Sequence, residues 1–291
     1  MYAQFFGAYL LNQGAISPED LKEAIQHQDD SRLKLGTLAI HQGLMTASEV
    51  DEVCFLQTRE DKRFGEIAVD RGYLTVGDVE DLLMMQTPDY LQLGQSLINL
   101  GMLDNTSLEE LLIDYQNEMQ IFTDEYETDA SSDELIERFF KYADYPISKE
   151  ATTYLRLIFN NLVRFIGSDY TPLSPVLTTE FPITYCVTQE MHGAEEYAAR
   201  IDMSEDAAIE FASRYAKMDF MDFDEYVKAS MEDFLNLHNG LFAVNMSNDF
   251  SMNLELAPPY EETEPVLLLP DKSFVIPVIF PFGTVNLIIS I

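Results

Sequence analysis

Basic residues are scarce in this chain. Lys and Arg number 17 against 51 Asp and Glu, leaving a formal net charge of −34. Long-range repulsion of that size opposes nucleic acid or an anionic membrane as the main partner and leaves basic protein surfaces open. Cysteine is nearly absent. Cys54 and Cys186 lie far apart in no metal-ligand spacing, so both read as buried thiols of a reducing compartment. His27, His41 and His192 form no cluster with acids at ligand spacing. The sequence also lacks a phosphate-binding loop, a dinucleotide glycine motif and a nucleophile elbow. The opening MYAQFFGAYLLNQG has neither a basic stretch nor a cleavage motif, which argues against a secretory signal. Phe274 to Ile291 is an uncharged run of 18, but Pro277, Pro281, Gly283 and Asn286 interrupt it. Two strands meeting at Phe282–Gly283 fit it better than a membrane span. A cytoplasmic location is expected.

What remains is ample for folding. A length of 291 with 47% hydrophobic and 23% charged residues describes a globular chain of about two domains.

The first domain, taken as residues 1–122, carries an internal period of 29 over residues 1–116. Gly7, Gly36, Gly65 and Gly94 recur at that spacing, each followed seven residues later by Gly14, Gly43, Gly72 and Gly101. Apolar pairs keep step, from Leu10-Leu11 to Leu97-Ile98, and Gln28, Gln57 and Gln86 close the first three units. Each unit reads as a helical hairpin. Ser17 with Asp20, Thr46 with Glu49, and Thr75 with Asp78 are capping boxes for the second helix, and Asp104 takes the cap position in the fourth unit. The second glycine of each unit ends the first helix, where a left-handed residue is needed. One hairpin cannot bury its apolar face, so the four are expected to stack or pair.

This pattern, with its five-residue spacers such as Asp29 to Leu33, resembles the N-terminal domain of MshE-type secretion ATPases. There, two consecutive copies bind cyclic di-GMP. The resemblance covers residues 5–116. The family motif opens with Arg, where this chain has Phe5, Lys34, Arg63 and Gln92. Only the second and third copies keep a cation. The resemblance therefore implies Lys34, Leu35, Gly36, Gln57, Arg63, Phe64, Gly65 and Gln86 as the nucleotide-binding set. Glycines would admit phosphates to backbone N–H groups. The alternative is a helical protein-docking scaffold in which glycines and apolar residues serve packing alone.

The repeat stops after Gln116, and an acidic linker, 123–134, separates it from a second domain, 135–291. In that domain Lys149–Gly167 reads as a helix, Ile183–Glu190 and Glu196–Met203 as paired strands, and Ser204 as the cap of another helix. Phe223 to Gly240 is a further amphipathic helix, with Val227, Met231, Phe234, Leu237 and Leu241 forming an apolar stripe. Asp233, Asn236 and Gly240 share another, surface-accessible sector, and glycine there lets another backbone approach. Further strands follow to the end of the chain. The expected fold class is α+β, with an all-α domain of four 29-residue hairpins before long helices packed on a mostly antiparallel sheet.

The order acid-x-x-Asn-x-x-x-Gly resembles the signature helix of the CheC/CheX/FliY family, phosphatases of phosphorylated chemotaxis receiver domains. ELAPPYEE and the ending VIPVIFPFGTVNLIIS resemble CheX members. One departure is plain: the family usually has Glu where this chain has Asp233. Asn160 follows Leu157 instead of an acid, so one motif copy is counted. The resemblance implies that Asn236 holds a water in line with an aspartyl phosphate whose Mg²⁺ sits on the receiver partner. The acid, here Asp233, would pair with the receiver's lysine. Glu232 is a weaker candidate at the edge of the same face. His238 falls inside the apolar stripe and reads as a core residue. A second reading is a non-catalytic adaptor that binds a receiver domain, a cyclic dinucleotide or a protein partner. A homodimer through a helix or a sheet edge is compatible with either.

Overall fold

A computed structural model describes residues 2–27, 33–85, 89–118, 129–142, 146–270 and 273–290. The chain divides into two compact units, Tyr9–Glu125, and Met1–Ala8 with Tyr126–Ile291.

The first unit is helical throughout its described elements. Helix α1 (Tyr2–Asn12) spans the division. It is followed by α2 (Pro18–Gln26), α3 (Leu35–His41), α4 (Ala47–Gln57), α5 (Phe64–Arg71), α6 (Val76–Met84), α7 (Asp89–Asn99) and α8 (Asn105–Glu118). Helix starts are set by side chains. Ser17, Thr46 and Thr75 accept from the backbone N–H three residues on, and Asp20, Glu49 and Asp78 return the bond. Asp104 Oδ1 accepts from Ser107 N at 2.7 Å. These bonds satisfy N–H groups that have no partner inside the helix. Gly14, Gly43, Gly72 and Gly101 have φ of 66°, 65°, 79° and 74°, a conformation that a Cβ disfavours. Cys54, expected to be buried, is exposed. On α4 the core-facing positions are Val50 and Val53, and the next residue turns away from them.

The second unit joins helices to an antiparallel sheet. Its elements are α9 (Asp129–Tyr142), α10 (Lys149–Phe165), β1 (Thr171–Pro172), β2 (Val176–Leu177), β3 (Glu180–Pro182), β4 (Tyr185–His192), β5 (Tyr197–Met203), α11 (Glu205–Ala216), α12 (Glu225–Phe250), β6 (Glu255–Leu256), β7 (Tyr260–Glu261), β8 (Val266–Leu268), β9 (Ser273–Phe280) and β10 (Gly283–Ser290). The main sheet runs β1-β9-β10-β5-β4-β6, with β2 on β9 and β7 on β4, and β3 pairs with β8 separately. Every pair is antiparallel. The uncharged run near the end forms the β9–β10 hairpin, and among the described residues no helix is long and apolar enough to cross a membrane.

Helix α12 packs against α10, α11, β4, β5 and β6. It is longer than its sequence pattern predicts, because Gly240 keeps a right-handed conformation and the buried spacing continues through Phe242 and Met246. The buried face is Val227, Met231, Phe234, Leu235, His238, Asn239, Phe242 and Met246. Leu241, expected in the apolar stripe, is exposed instead. Full burial of side chains such as Phe234 and Phe242 contributes about 1.5–3 kcal/mol each, which outweighs the ~1 kcal/mol helix cost of one interior glycine. The helix is therefore held as a rigid rod. On the opposite side of the sheet, Cys186, Leu267, Leu269, Val275 and Ile288 form a second apolar cluster with Phe181 and Ile183 beside it.

Candidate functional site

Asp233 and Asn236 are exposed on α12, and Gly240 is half-buried one turn beyond Asn236. A Cβ added at Gly240 would meet no atom within 4 Å. The open space beside it belongs to whatever approaches from outside. Glu232 is half-buried at the edge of this face.

Neither motif side chain swings freely. Tyr215, near the end of α11, donates its hydroxyl to Asp233 Oδ2 at 2.6 Å. Burial pushes the Tyr215 phenol pKa well up, and the bond to Asp233 adds to the shift, so the hydroxyl stays a donor. Asn236 Oδ1 accepts from Gln189 Nε2 at 2.8 Å. Gln189, from β4, is fully buried and also donates to Ala257 O at 2.8 Å. Its Oε1 accepts from Asn239 Nδ2 at 2.8 Å, and Asn239 Oδ1 accepts from Tyr154 OH at 3.1 Å. A line of polar groups thus runs from the interior of α10, under α12, to the exposed amide.

His238 lies inside this wall, fully buried. Its Nδ1 takes the bond from Asn161 Nδ2 at 3.1 Å, and burial lowers its pKa to about 3. It is therefore a neutral core group with no route to solvent chemistry. The expectation from its place in the stripe holds.

Beside Asp233 the surface is apolar. Tyr215, Ala216, Met218, Phe220, Tyr226, Ala229, Ser230 and Asp233 line a shallow groove of about 560 Å³, with Met218 62% and Tyr226 73% exposed. Past Gly240 the same helix exposes Leu241 and Val244. Asp219, Asp222, Asp224 and Glu225, which neighbour the lining residues Met218, Phe220 and Tyr226 in sequence, are exposed. Such patches favour a protein partner over a small metabolite.

The sequence missed Gln189, Asn239, Tyr154 and Tyr215. A signal for Gln189 was present: in the alternation of β4 it falls in register with Tyr185, Val187 and Met191. A carboxamide among three apolar neighbours on an inward face requires a buried partner.

In the helical unit, Leu35, Gly36, Phe64 and Gly65 come together. A Cβ at Gly36 would meet Val50 Cγ1 at 2.7 Å and Phe64 Cζ at 3.3 Å, and one at Gly65 would meet Val79 Cγ1 at 3.1 Å and Leu35 Cδ2 at 3.3 Å. Lys34 Nζ donates to Asn99 Oδ1 at 2.9 Å, and its backbone N–H donates to Gln95 Oε1 at 3.3 Å. Gln57 Nε2 donates to Lys62 O at 3.5 Å. Arg63 is exposed where α5 begins. Gln86 lies outside the described residues. Among the described residues no group of three or more His, Cys, Asp or Glu is placed to hold a metal ion.

The chain is similar in structure to the chemotaxis protein CheX from Desulfovibrio desulfuricans, at 15% identity and TM-score 0.43, over 49% of this chain and 99% of that one. It is similar to CheX from Vibrio vulnificus at 15% identity and TM-score 0.42, over 49% and 98%. It is also similar to a chain of the CheX–CheY–BeF3–Mg²⁺ complex from Borrelia burgdorferi at 17% identity and TM-score 0.38, over 47% and 94%. No protein-family model and no curated protein matches the chain.

Proposed function

We propose that this chain docks on a phosphorylated receiver domain through the exposed face of α12 and accelerates hydrolysis of its aspartyl phosphate. The observation that carries the reading is an exposed Asn236 on a buried, rigid helix, beside a glycine whose outer side is open. An amide neither gains nor loses a proton near neutral pH, so it can hold a water without becoming a competing acid or nucleophile.

In the reaction the water oxygen bonds to phosphorus as the bond to the receiver's aspartate breaks. The carboxylate leaves with the electron pair, inorganic phosphate forms, and one water proton goes to solvent. The Mg²⁺ of such a receiver belongs to the partner and neutralises charge on the phosphoryl oxygens. Asn236 orients the water. Asp233 offers Oδ1 to a cation on the partner while Tyr215 holds Oδ2. Asp233 is one methylene shorter than the Glu usual in the family, so the partner's cation must come closer to the helix. The apolar groove next to Asp233 supplies docking area.

The test follows a chemotaxis receiver domain charged with radiolabelled phosphate, with and without this protein. The wild-type chain shortens the lifetime of the aspartyl phosphate and Asn236→Ala, still folded by circular dichroism, does not. A wild-type chain that leaves the lifetime unaltered, or an Asn236→Ala chain as active as wild type, refutes the proposal.

For the helical unit we propose four stacked 29-residue hairpins acting as a docking module. Side chains of the chain itself fill the space over Gly36 and Gly65, which supports packing as the reason for those glycines. The cyclic di-GMP reading rests on exposed Lys34, Gln57 and Arg63 and on the sequence pattern, and a titration with that nucleotide tests it.

A further inference from the structure

We propose that Gln189 is the positioning residue of the α12 site, fixing which end of the Asn236 amide faces the partner. The inference rests on the reading of Asn236 as the water-holding group.

The argument is one of donors and acceptors. Ala257 O is a backbone carbonyl and can only accept. The Gln189 atom 2.8 Å from it is therefore the nitrogen, which turns Oε1 toward Asn239. Asn239 must then present Nδ2, leaving its Oδ1 for the Tyr154 hydroxyl. A single carbonyl thus settles the orientation of both buried amides. The second Nε2 hydrogen of Gln189 points at Asn236, and a donor there calls for an acceptor. Asn236 accordingly turns Oδ1 inward, and Nδ2 together with the second Oδ1 lone pair is left for the outside.

Burial makes the arrangement stiff. Gln189 and Asn239 are both fully buried, where a polar group left without a partner bears its full desolvation penalty. Neither can rotate without losing bonds that no water replaces. Asn236 itself is exposed and would be satisfied by solvent in any rotamer. Its tether is therefore not needed to solvate it, and the effect of the bond is to choose one orientation in advance. A preset amide avoids ordering at the moment of reaction.

Ala257 is held in turn. Its N–H donates to Glu190 O at 2.9 Å, between the β6 and β7 pairings on the outer edge of β4. The carbonyl that directs the chain of amides is thereby part of the sheet.

The experiment reads both motion and turnover. In full-length wild-type protein, the Asn236 side-chain NH₂ resonance is assigned by its loss in Asn236→Ala, and its order parameter is measured. A value above about 0.8 is expected, and one below about 0.6 overturns the proposal whatever the variants do. In Gln189→Met the order parameter falls below about 0.6. With a radiolabelled chemotaxis receiver as probe, kcat falls about ten- to a hundred-fold while KM stays within about two-fold, since Gln189 touches no partner. Gln189→Glu, close in shape, also lowers kcat, because a carboxyl buried there stays protonated and its one O–H, taken by Ala257 O, leaves no donor for Asn236. Wild-type kcat with an ordered Asn236 in either variant also overturns it. If Asn236→Ala retains full activity, the phosphatase reading fails, while the order parameters still decide whether Gln189 sets the amide.

Discussion

Replacing Gly240 by Ala separates what the fold needs from what the docking face needs. Gly240 lies in the interior of α12 in a right-handed conformation. An interior glycine costs a helix about 0.8–1.0 kcal/mol relative to alanine. The new Cβ would meet nothing within 4 Å, so no clash and no added burial modifies that figure. Gly240→Ala should stabilise the sheet-bearing unit by about 1 kcal/mol, raising its unfolding temperature by roughly 2–4 °C. Calorimetry of the full chain reads this. The same methyl projects from the Asp233–Asn236 face, where the proposed partner must come close. Dephosphorylation of a charged receiver should weaken through KM, by about ten-fold if the steric cost is ~1.4 kcal/mol. A more stable but less active variant is the expected pairing. A loss of stability would refute the packing argument. A gain in stability with turnover and KM untouched would show that no partner surface reaches this glycine.

Two further outcomes follow from the structure. His238 is neutral in the fold with a pKa near 3, against an ordinary value of 6.5, so the unfolded chain takes up a proton first as pH falls. Its contribution is complete above about pH 6.5 and is lost between there and about pH 3, at up to ~1.4 kcal/mol per pH unit. In His238→Met the slope of unfolding free energy against pH should be smaller by close to one proton between pH 6 and 4.5, and an unchanged slope rules the assignment out. Titrating cyclic di-GMP into the full chain should produce no heat and no thermal shift if Gly36 and Gly65 serve packing alone. Saturable heat that disappears in Arg63→Ala would assign the nucleotide to the helical unit.

Much of the α12 face was legible because helical geometry is local. The positions of Asp233, Asn236 and Gly240 follow from spacing alone, as does the burial of Val227, Met231 and Phe234. The helix end was missed because glycine stops a helix only when its conformation turns left-handed, and at Gly240 it does not. Strand β4 was expected at 183–190 and runs Tyr185–His192; alternation identifies a strand but leaves its ends free to slide. The tethers were not legible. Gln189 meets Asn236 across 47 residues of chain and Ala257 across 68, and Tyr154 reaches Asn239 across 85. No local pattern encodes such pairings; they appear only when sheet and helix are laid together.

The placement of Gln189 on β4 ties the proposed docking face to a count along a strand. Its Cα stands opposite Ala199 of β5, and its sequence neighbours point to the other side of the sheet, where Thr188 Oγ1 donates to Glu262 Oε1 at 2.6 Å. Inserting or deleting one residue ahead of it within β4 would bring a threonine or a glutamate beneath the helix and carry the carboxamide to the far side. A length change that spares this arrangement must therefore fall in a connection, such as Gly193–Glu196, and β4 itself serves as a ruler that indexes the outer surface of α12.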